Sequence, residues 1–331
     1  MRAWTHSRAG APSSVLSLSS DVKTPTLSNP TDVLVRVTHA SLSPGGSIMM
    51  QLAPFLIRTK PAIPELDFSG TLLAVGSGVP SLRNLSPGDA VFGSVTIGPH
   101  IKKGVGTLAE CVVVDAGSVV KMPKGMSEGD AAGLGVSGST ALVLIRAADI
   151  KEGDKVMVNG ASGGVGSFAV QMAKNIVGEG GKVVGVCSAG NAEAVKGLGA
   201  DEVIDYAAHT PLHAYLETRY SSAPFAAIID THGVSDLYLH CAPFLSPGKP
   251  YATVGVAFGA YTVPSMLYAA CAVKKNIWLP RVLGGGERDY VCVNVTADLE
   301  KLEKLAELAG EGKLKVFVDS RWGFEEVLKV G

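Results

Sequence analysis

A chain of 331 residues exceeds one ordinary domain, and its 47% hydrophobic content is enough for a sizeable core. A formal net charge of −1, with no run of Lys or Arg, argues against nucleic acid and anionic membrane surfaces as partners. The five cysteines, Cys111, Cys187, Cys241, Cys271 and Cys292, are scattered without a Cys-x-x-Cys pair. That disfavours zinc ribbons and thioredoxin-type centres and reads as reduced thiols of a cytoplasmic protein.

The opening MRAWTHSRAG has no apolar core, so no signal peptide is expected. Residues 32–40 alternate Val33, Val35 and Val37 with Leu34, Arg36 and Thr38, the period of a half-buried strand. Residues 69–76 and 108–114 read as further strands. Pro44-Gly45-Gly46, Pro87-Gly88-Asp89 and the glycines at 104 and 106 read as turns between them. Residues 54–64 read as a loop whose Phe55, Leu56 and Ile57 either line a pocket or pack on the core.

The texture changes at Ser127, where Ser127-x-x-Asp130 resembles a helix cap and a small-residue run follows to Arg146. Short apolar strands are predicted at 155–158, 182–187, 203–205, 226–230, 251–254 and 277–279. Helices are predicted at 167–175, 191–198 and 211–220. This alternation predicts an α/β fold with a doubly wound parallel sheet. Residues 263–273 form the longest apolar run, interrupted by Pro264 and too short to span a bilayer. Leu299, Leu302, Leu305 and Leu308 then mark an amphipathic helix over 296–310, assigned to the first domain. The expected division is 1–126, completed by 288–331, against 127–287.

The chemistry concentrates after the strand at 155–158. Ala161-Ser162-Gly163-Gly164-Val165-Gly166 follows the spacing G-x-G-x-x-G with Ala in first place, between a strand and a helix. Small residues let backbone approach a pyrophosphate, and the helix N-terminus offers N–H groups and partial positive charge. At the end of the second strand, Cys187-Ser188-Ala189-Gly190-Asn191 lacks the acidic residue that holds a ribose diol in NAD enzymes. A hydroxyl there suits a 2′-phosphate, so NADP(H) is expected over NAD(H), with Ser188 and Asn191 at the site. Strand C-terminal ends face the ligand in this architecture, which adds His232 after the fourth strand and Val254 at the end of the fifth. Leu283 and Gly284 open a glycine-rich loop expected at the nicotinamide end. No three-ligand zinc set emerges from the spacings.

Several ordered motifs resemble the medium-chain dehydrogenase/reductase superfamily, in its zinc-free branch of quinone oxidoreductases, zeta-crystallin and enoyl reductases. They are DVLVRV at 32–37, DFSG at 67–70, PGDAVFG at 87–93, VNGASGGVG at 158–166 and LGADEVIDY at 198–206. The resemblance implies a GroES-like β-rich domain plus a Rossmann domain. It adds Thr140 and Tyr206 as cofactor contacts and a homodimer paired through an edge strand near residues 276–280. It implies hydride transfer from NADPH to an α,β-unsaturated carbonyl or a quinone. Zinc-dependent relatives carry a Cys after the early strand and a His-Glu pair near Asp67, whereas residues 41–46 here read SLSPGG and residues 65–67 read ELD. Relatives with quinone reductase activity carry Asn-Pro-x-Asp where this chain has Ser43-Pro44-Gly45-Gly46, leaving Ser43 and His232 as candidate catalytic groups. The loss at Gly46 also leaves open a protein that binds the cofactor without net redox.

Overall fold

The computed structural model describes residues 1–52, 58–257, 259–279, 283 and 285–329. The chain divides into two compact units, Met1–Ser139 with Thr296–Gly312 and Val316–Gly331, and Thr140–Val295 with Lys313–Lys315.

In the first unit, β1 (Ala3–Thr5) and β2 (Ser17–Ser19) form an antiparallel pair. The main sheet contains β3 (Asp32–Ala40), β4 (Asp67–Val75), β5 (Ala90–Ser94), β6 (Cys111–Asp115) and β7 (Val119–Lys121). Its order is β6-β3-β4-β5-β7, every pair antiparallel. Val33, Val35, Phe68, Leu72, Val91, Val112 and Val119 fill its core. The Leu299–Gly310 helix belongs here, with Leu302 and Leu305 buried. Its N-terminus is capped by Asp298, which accepts the Lys301 N–H.

Pro44-Gly45-Gly46 is the first turn of a helix, Pro44–Leu52, where the sequence reads as a turn. Ser43 accepts the Gly46 N–H on its hydroxyl (3.2 Å), and proline suits the first helical position because its missing N–H has no helical partner there. Phe55, Leu56 and Ile57 lie outside the described residues.

The second unit holds β8 (Lys155–Asn159), β9 (Lys182–Cys187), β10 (Glu202–Asp205), β11 (Ala227–Asp230), β12 (Tyr251–Thr253) and β13 (Tyr290–Cys292). All are parallel, in the order β10-β9-β8-β11-β12-β13. Numbered within the unit this is 3-2-1-4-5-6, the doubly wound order. The central strands are buried along nearly their whole length, which explains their continuous Val and Ile runs.

Three expectations need correction. The sixth strand is Tyr290–Cys292, and residues 263–278 form a helix instead of leading into a strand at 277–279. Thr262 caps that helix by accepting the Ser265 N–H, and Pro264 stands in its first turn, where it starts a helix as readily as it breaks one. The sheet edge therefore is not at residues 276–279, and Pro280 lies outside the described residues. The division also shifts. Residues 127–139 stay with the first unit, where Val136 N–H donates to buried Asp67 (2.8 Å), and residues 288–295 join the second, because β13 pairs with β12. Lys313–Lys315 joins the second unit as well, its Lys315 backbone bracketed by both ends of the Gln171 amide.

The tightest joint in the second unit is at Gly166, where an added Cβ would stand 2.0 Å from the Gly160 carbonyl oxygen. Gly190 has no atom within 4 Å of that position. Gly166→Ala should therefore cost about 3 kcal/mol, roughly 6–12 °C in melting temperature. Gly190→Ala should leave the melting temperature unchanged within roughly 2 °C. Equal melting curves for the two variants would contradict this packing.

Candidate functional site

In the second unit the strand order reverses between β8 and β11, and there Asn159 and Asp230 stand in register. Crossovers leave these two strands in opposite directions, so a crevice opens at their carboxyl ends. Gly160 follows β8 at φ +74°, and a Cβ on it would meet Thr231 Oγ1 at 2.7 Å. Ala161, fully buried, donates its N–H to the Val186 carbonyl (2.9 Å) and ties the turn to β9. Gly163 then precedes the Gly164–Val177 helix in extended conformation, and no side chain caps that N-terminus. Gly163 and Gly164 are exposed, while Ser162 and Val165 are half-buried. The first-turn N–H groups are thus left open beside a backbone that no side chain shields. A dinucleotide pyrophosphate fits this arrangement.

The end of β9 brings together three residues singled out from sequence. Asn191 Nδ2 donates to Ser162 Oγ (3.2 Å) and to Ser188 Oγ (3.2 Å). Hydroxyls from the glycine turn and from the next strand end are therefore joined by one amide. Tyr206 is adjacent through its backbone, donating its N–H to the Cys187 carbonyl (3.3 Å), and its side chain is 52% exposed. The neighbouring Cys187 thiol is pushed up by burial and by Asp205.

The crevice floor is a group the sequence reading did not single out. Asp230, 1% exposed, accepts from Asn159 Nδ2 (2.8 Å) and from the N–H groups of His232 (3.0 Å), Gly233 (2.9 Å) and Val234 (2.8 Å). Tyr251 adds its hydroxyl at 2.7 Å. Burial, then the charge of Asp230, hold the Tyr251 phenol well above its ordinary value, so it remains a donor. The only sequence signal was an acid ending an apolar strand, AAIID. His232 is exposed on the loop this carboxylate organises. Val254 is exposed after β12 and donates its N–H to the Asp230 carbonyl (3.2 Å). Thr140 is half-buried on the Gly135–Ala148 helix, and Leu283 is exposed; Gly284 lies outside the described residues.

The first unit has its own polar centre around Ser43. Glu65, only 4% exposed, takes the left-handed conformation at φ +65°, which is uncommon for a side chain of this size. Its Oε2 accepts from Ser43 N (3.2 Å) and lies 3.4 Å from Ser43 Oγ. A Cβ at position 46 would fall 2.1 Å from Glu65 Oε1, so the carboxyl fills the space that Gly46 leaves. Burial raises Glu65 to about 8 against the pull of its Ser43 hydrogen bond, with nearby Asp67 adding to the rise. Burial likewise raises Asp67 to about 6. These residues do not fit a catalytic zinc. They offer neither imidazole nor thiolate, Glu65 holds its proton at neutral pH, and Asp67 Oδ2 is engaged by Val136 N–H.

Because folded Glu65 keeps its proton up to about 8 while an unfolded glutamate releases it near 4.5, the folded state binds the extra proton between these values. Stability is then full below the lower value and falls as pH rises toward the upper one. Glu65→Gln, which cannot ionise, should flatten that decline and melt at least roughly 5 °C above wild type at the alkaline end. Parallel melting temperature–pH curves for the two proteins would refute the neutral Glu65.

Comparison with known proteins agrees with this architecture. Residues 29–124 match a family described as alcohol dehydrogenase GroES-like domain, and residues 198–329 one described as zinc-binding dehydrogenase. A trans-enoyl reductase of Penicillium oxalicum is 32% identical over 353 residues, covering 97% of this chain and 91% of the relative. The quinone oxidoreductase of Coxiella burnetii superposes with a TM-score of 0.78 at 26% identity, covering 99% of this chain and 93% of that one. A mycobacterial protein complexed with NADPH gives a TM-score of 0.77 at 23% identity, covering 99% and 94%.

Proposed function

Since this chain belongs to the medium-chain dehydrogenase/reductase superfamily, in its branch of quinone and enoyl reductases, we propose that it is an NADPH-dependent reductase acting without metal on the C=C of an enone or enoyl substrate, or on a quinone. The observation that carries the cofactor choice is the Ser162–Asn191–Ser188 cluster, which presents hydroxyls where a carboxylate would repel a 2′-phosphate. The substrate class rests on the named activities of the relatives.

When bound, the nicotinamide supplies the hydride. The open N–H groups of the Gly164–Val177 helix, with Ala161, Gly163 and Gly166 keeping the turn bare, hold the pyrophosphate. Ser188, Asn191 and Tyr206 hold the adenosine end. The loop organised by Asp230, with His232 and Val254, would face the inner part of the cofactor, together with Thr140 and Leu283. Ser43, backed by neutral Glu65, is the candidate to donate a hydrogen bond to the substrate carbonyl. The product's second proton comes from solvent.

No helix among the described residues is long and apolar enough to cross a membrane. All five cysteines are free.

The decisive experiment measures NADPH oxidation against quinones, short enones and long enoyl thioesters, with Ser188→Asp beside wild type and with chelator present and absent. Turnover with at least one class, unaffected by chelator, is expected. Paired dissociation constants should favour NADPH in wild type and move at least tenfold toward NADH in Ser188→Asp, since one charge-assisted hydrogen bond contributes about 1.5–3 kcal/mol. NADPH binding without oxidation by any acceptor would favour a cofactor-binding protein with no net redox.

Assembly is a separate question. Leu267, Tyr268 and Trp278 on the Val263–Trp278 helix are 57%, 70% and 74% exposed, which supports a homodimer. Light scattering at micromolar concentration should give twice the 34.1 kDa chain mass, and a monomer would overturn this.

A further inference from the structure

Beyond the Asp230 loop, two short elements of the second unit bring together a donor set that the cofactor site does not use. His213 stands in the first turn of the Leu212–Tyr220 helix, Asp236 lies on the Ser235–Leu239 helix, and His240 ends that second helix. His213 Nδ1 is 2.8 Å from Asp236 Oδ2, and His240 Nδ1 is 3.2 Å from Asp236 Oδ1. The two imidazoles lie face to face, with ring centroids 4.2 Å apart and planes within 16°. One ligand atom from each residue falls within 4.8 Å of the others, and among the described residues no other group of three His, Cys, Asp or Glu does so.

We propose that His213, Asp236 and His240 bind a divalent cation of the zinc–copper class, with water completing its coordination. Metal–nitrogen and metal–oxygen bonds of about 2.0–2.2 Å at angles near 90–110° place neighbouring donors about 2.8–3.6 Å apart. The two imidazole–carboxylate separations lie in that range but fall on different oxygens of Asp236, so the exposed Asp236 and His240 side chains turn for the three donors to converge on one cation. Two of the three donors are imidazoles, which are borderline, and the third is a hard carboxylate. They select zinc, copper or nickel over calcium and magnesium, which take oxygen shells. His240 Nδ1 also lies 2.9 Å from the Asp236 carbonyl oxygen, and the proton held there is the one a cation displaces. Asp236 and His240 have side chains 60% and 51% exposed, so a cation enters without any opening of the fold.

The location gives the cation a mechanical consequence. The Ser235–Leu239 helix begins one residue after Val234, whose N–H is held by Asp230. A bound cation would therefore cross-link the helix that follows the crevice loop to the Leu212–Tyr220 helix.

The test uses untagged, chelator-stripped full-length protein titrated with Zn²⁺ by calorimetry and with Cu²⁺ by electron paramagnetic resonance. Wild type should take up one equivalent with micromolar affinity, show nitrogen hyperfine coupling from imidazole, and melt at higher temperature with Zn²⁺. His213→Gln, Asp236→Asn and His240→Gln should each weaken binding at least tenfold, and the triple variant should lose both the equivalent and the thermal shift. Asp236 and His240 are exposed, so metal-free Asp236→Asn and His240→Gln should melt with wild type, whereas half-buried His213 is compared through its metal-induced shift alone. Uptake of the same equivalent by a folded triple variant, or none by wild type up to millimolar Zn²⁺, would overturn the proposal. The second outcome would leave a hydrogen-bonded His–Asp–His triad only.

Discussion

The carboxylate of Asp230 sits at the strand-order reversal of the parallel sheet and is balanced entirely by neutral donors. Burying a carboxylate costs several kcal/mol unless its lone pairs are satisfied, and here five hydrogen bonds satisfy them. Those donors come from β8, from the loop after β11 and from β12. The same contacts that offset the burial of charge thus fix the relative positions of three strand ends. Three of the donors are successive backbone N–H groups, at 232, 233 and 234, which would otherwise need water in a buried turn. The glycine turn is tied into this frame from the other side, since Thr231 donates to the Asn159 carbonyl (2.8 Å) and lies 2.7 Å from where a Gly160 Cβ would stand.

The first unit sets a buried acid and a buried guanidinium at the two ends of one short helix. Pro44–Leu52 begins at Ser43, where Glu65 receives the Ser43 N–H, and ends near Met49, whose carbonyl accepts from Arg58 Nη1 (3.0 Å). An acid at the N-terminus and a cation at the C-terminus both complement the helix dipole. Burial works against each of them, pushing Glu65 up and Arg58 down. For Glu65 burial wins, because a nine-residue helix end and one backbone donor do not offset near-complete desolvation. The outcome is a neutral acid in contact with Ser43, occupying the volume that Gly46 vacates.

Much of this was legible in the sequence where a pattern is local. The glycine turn was readable because its spacing lies between an apolar strand and a helical repeat, and the central strands because burial on both faces makes them continuous runs of Val and Ile. The failures have physical causes. Pro44 and Pro264 read as breaks, although proline also opens helices; the local caps from Ser43 and Thr262, each accepting the N–H three residues on, decide for the helix. The edge strand Tyr290–Cys292 has three residues, too few to show a period. Asp230, Glu65 and the His213–Asp236–His240 group draw their meaning from partners far along the chain. The left-handed conformation of Glu65 leaves no mark on composition.

The proposed preference for NADPH depends on a finer detail than which residues are present. A serine hydroxyl both donates and accepts, so its usefulness to a phosphate depends on where its proton points. Asn191 places one N–H on Ser162 Oγ and one on Ser188 Oγ, filling an acceptor site on each. Both hydroxyl protons are thereby left free to turn outward. The amide thus converts two ambivalent groups into two donors facing the same region, beside the open first turn of the Gly164–Val177 helix. A carboxylate in place of Ser188 would take the same N–H from Asn191 and present negative charge outward instead. On the NADPH reading proposed above, Asn191 would set the direction of both serine donors as well as helping to hold the adenosine end. Because neither Ser188 nor its neighbours at 187–191 carry a cationic side chain, the discrimination rests on about two hydrogen bonds and should be graded rather than absolute.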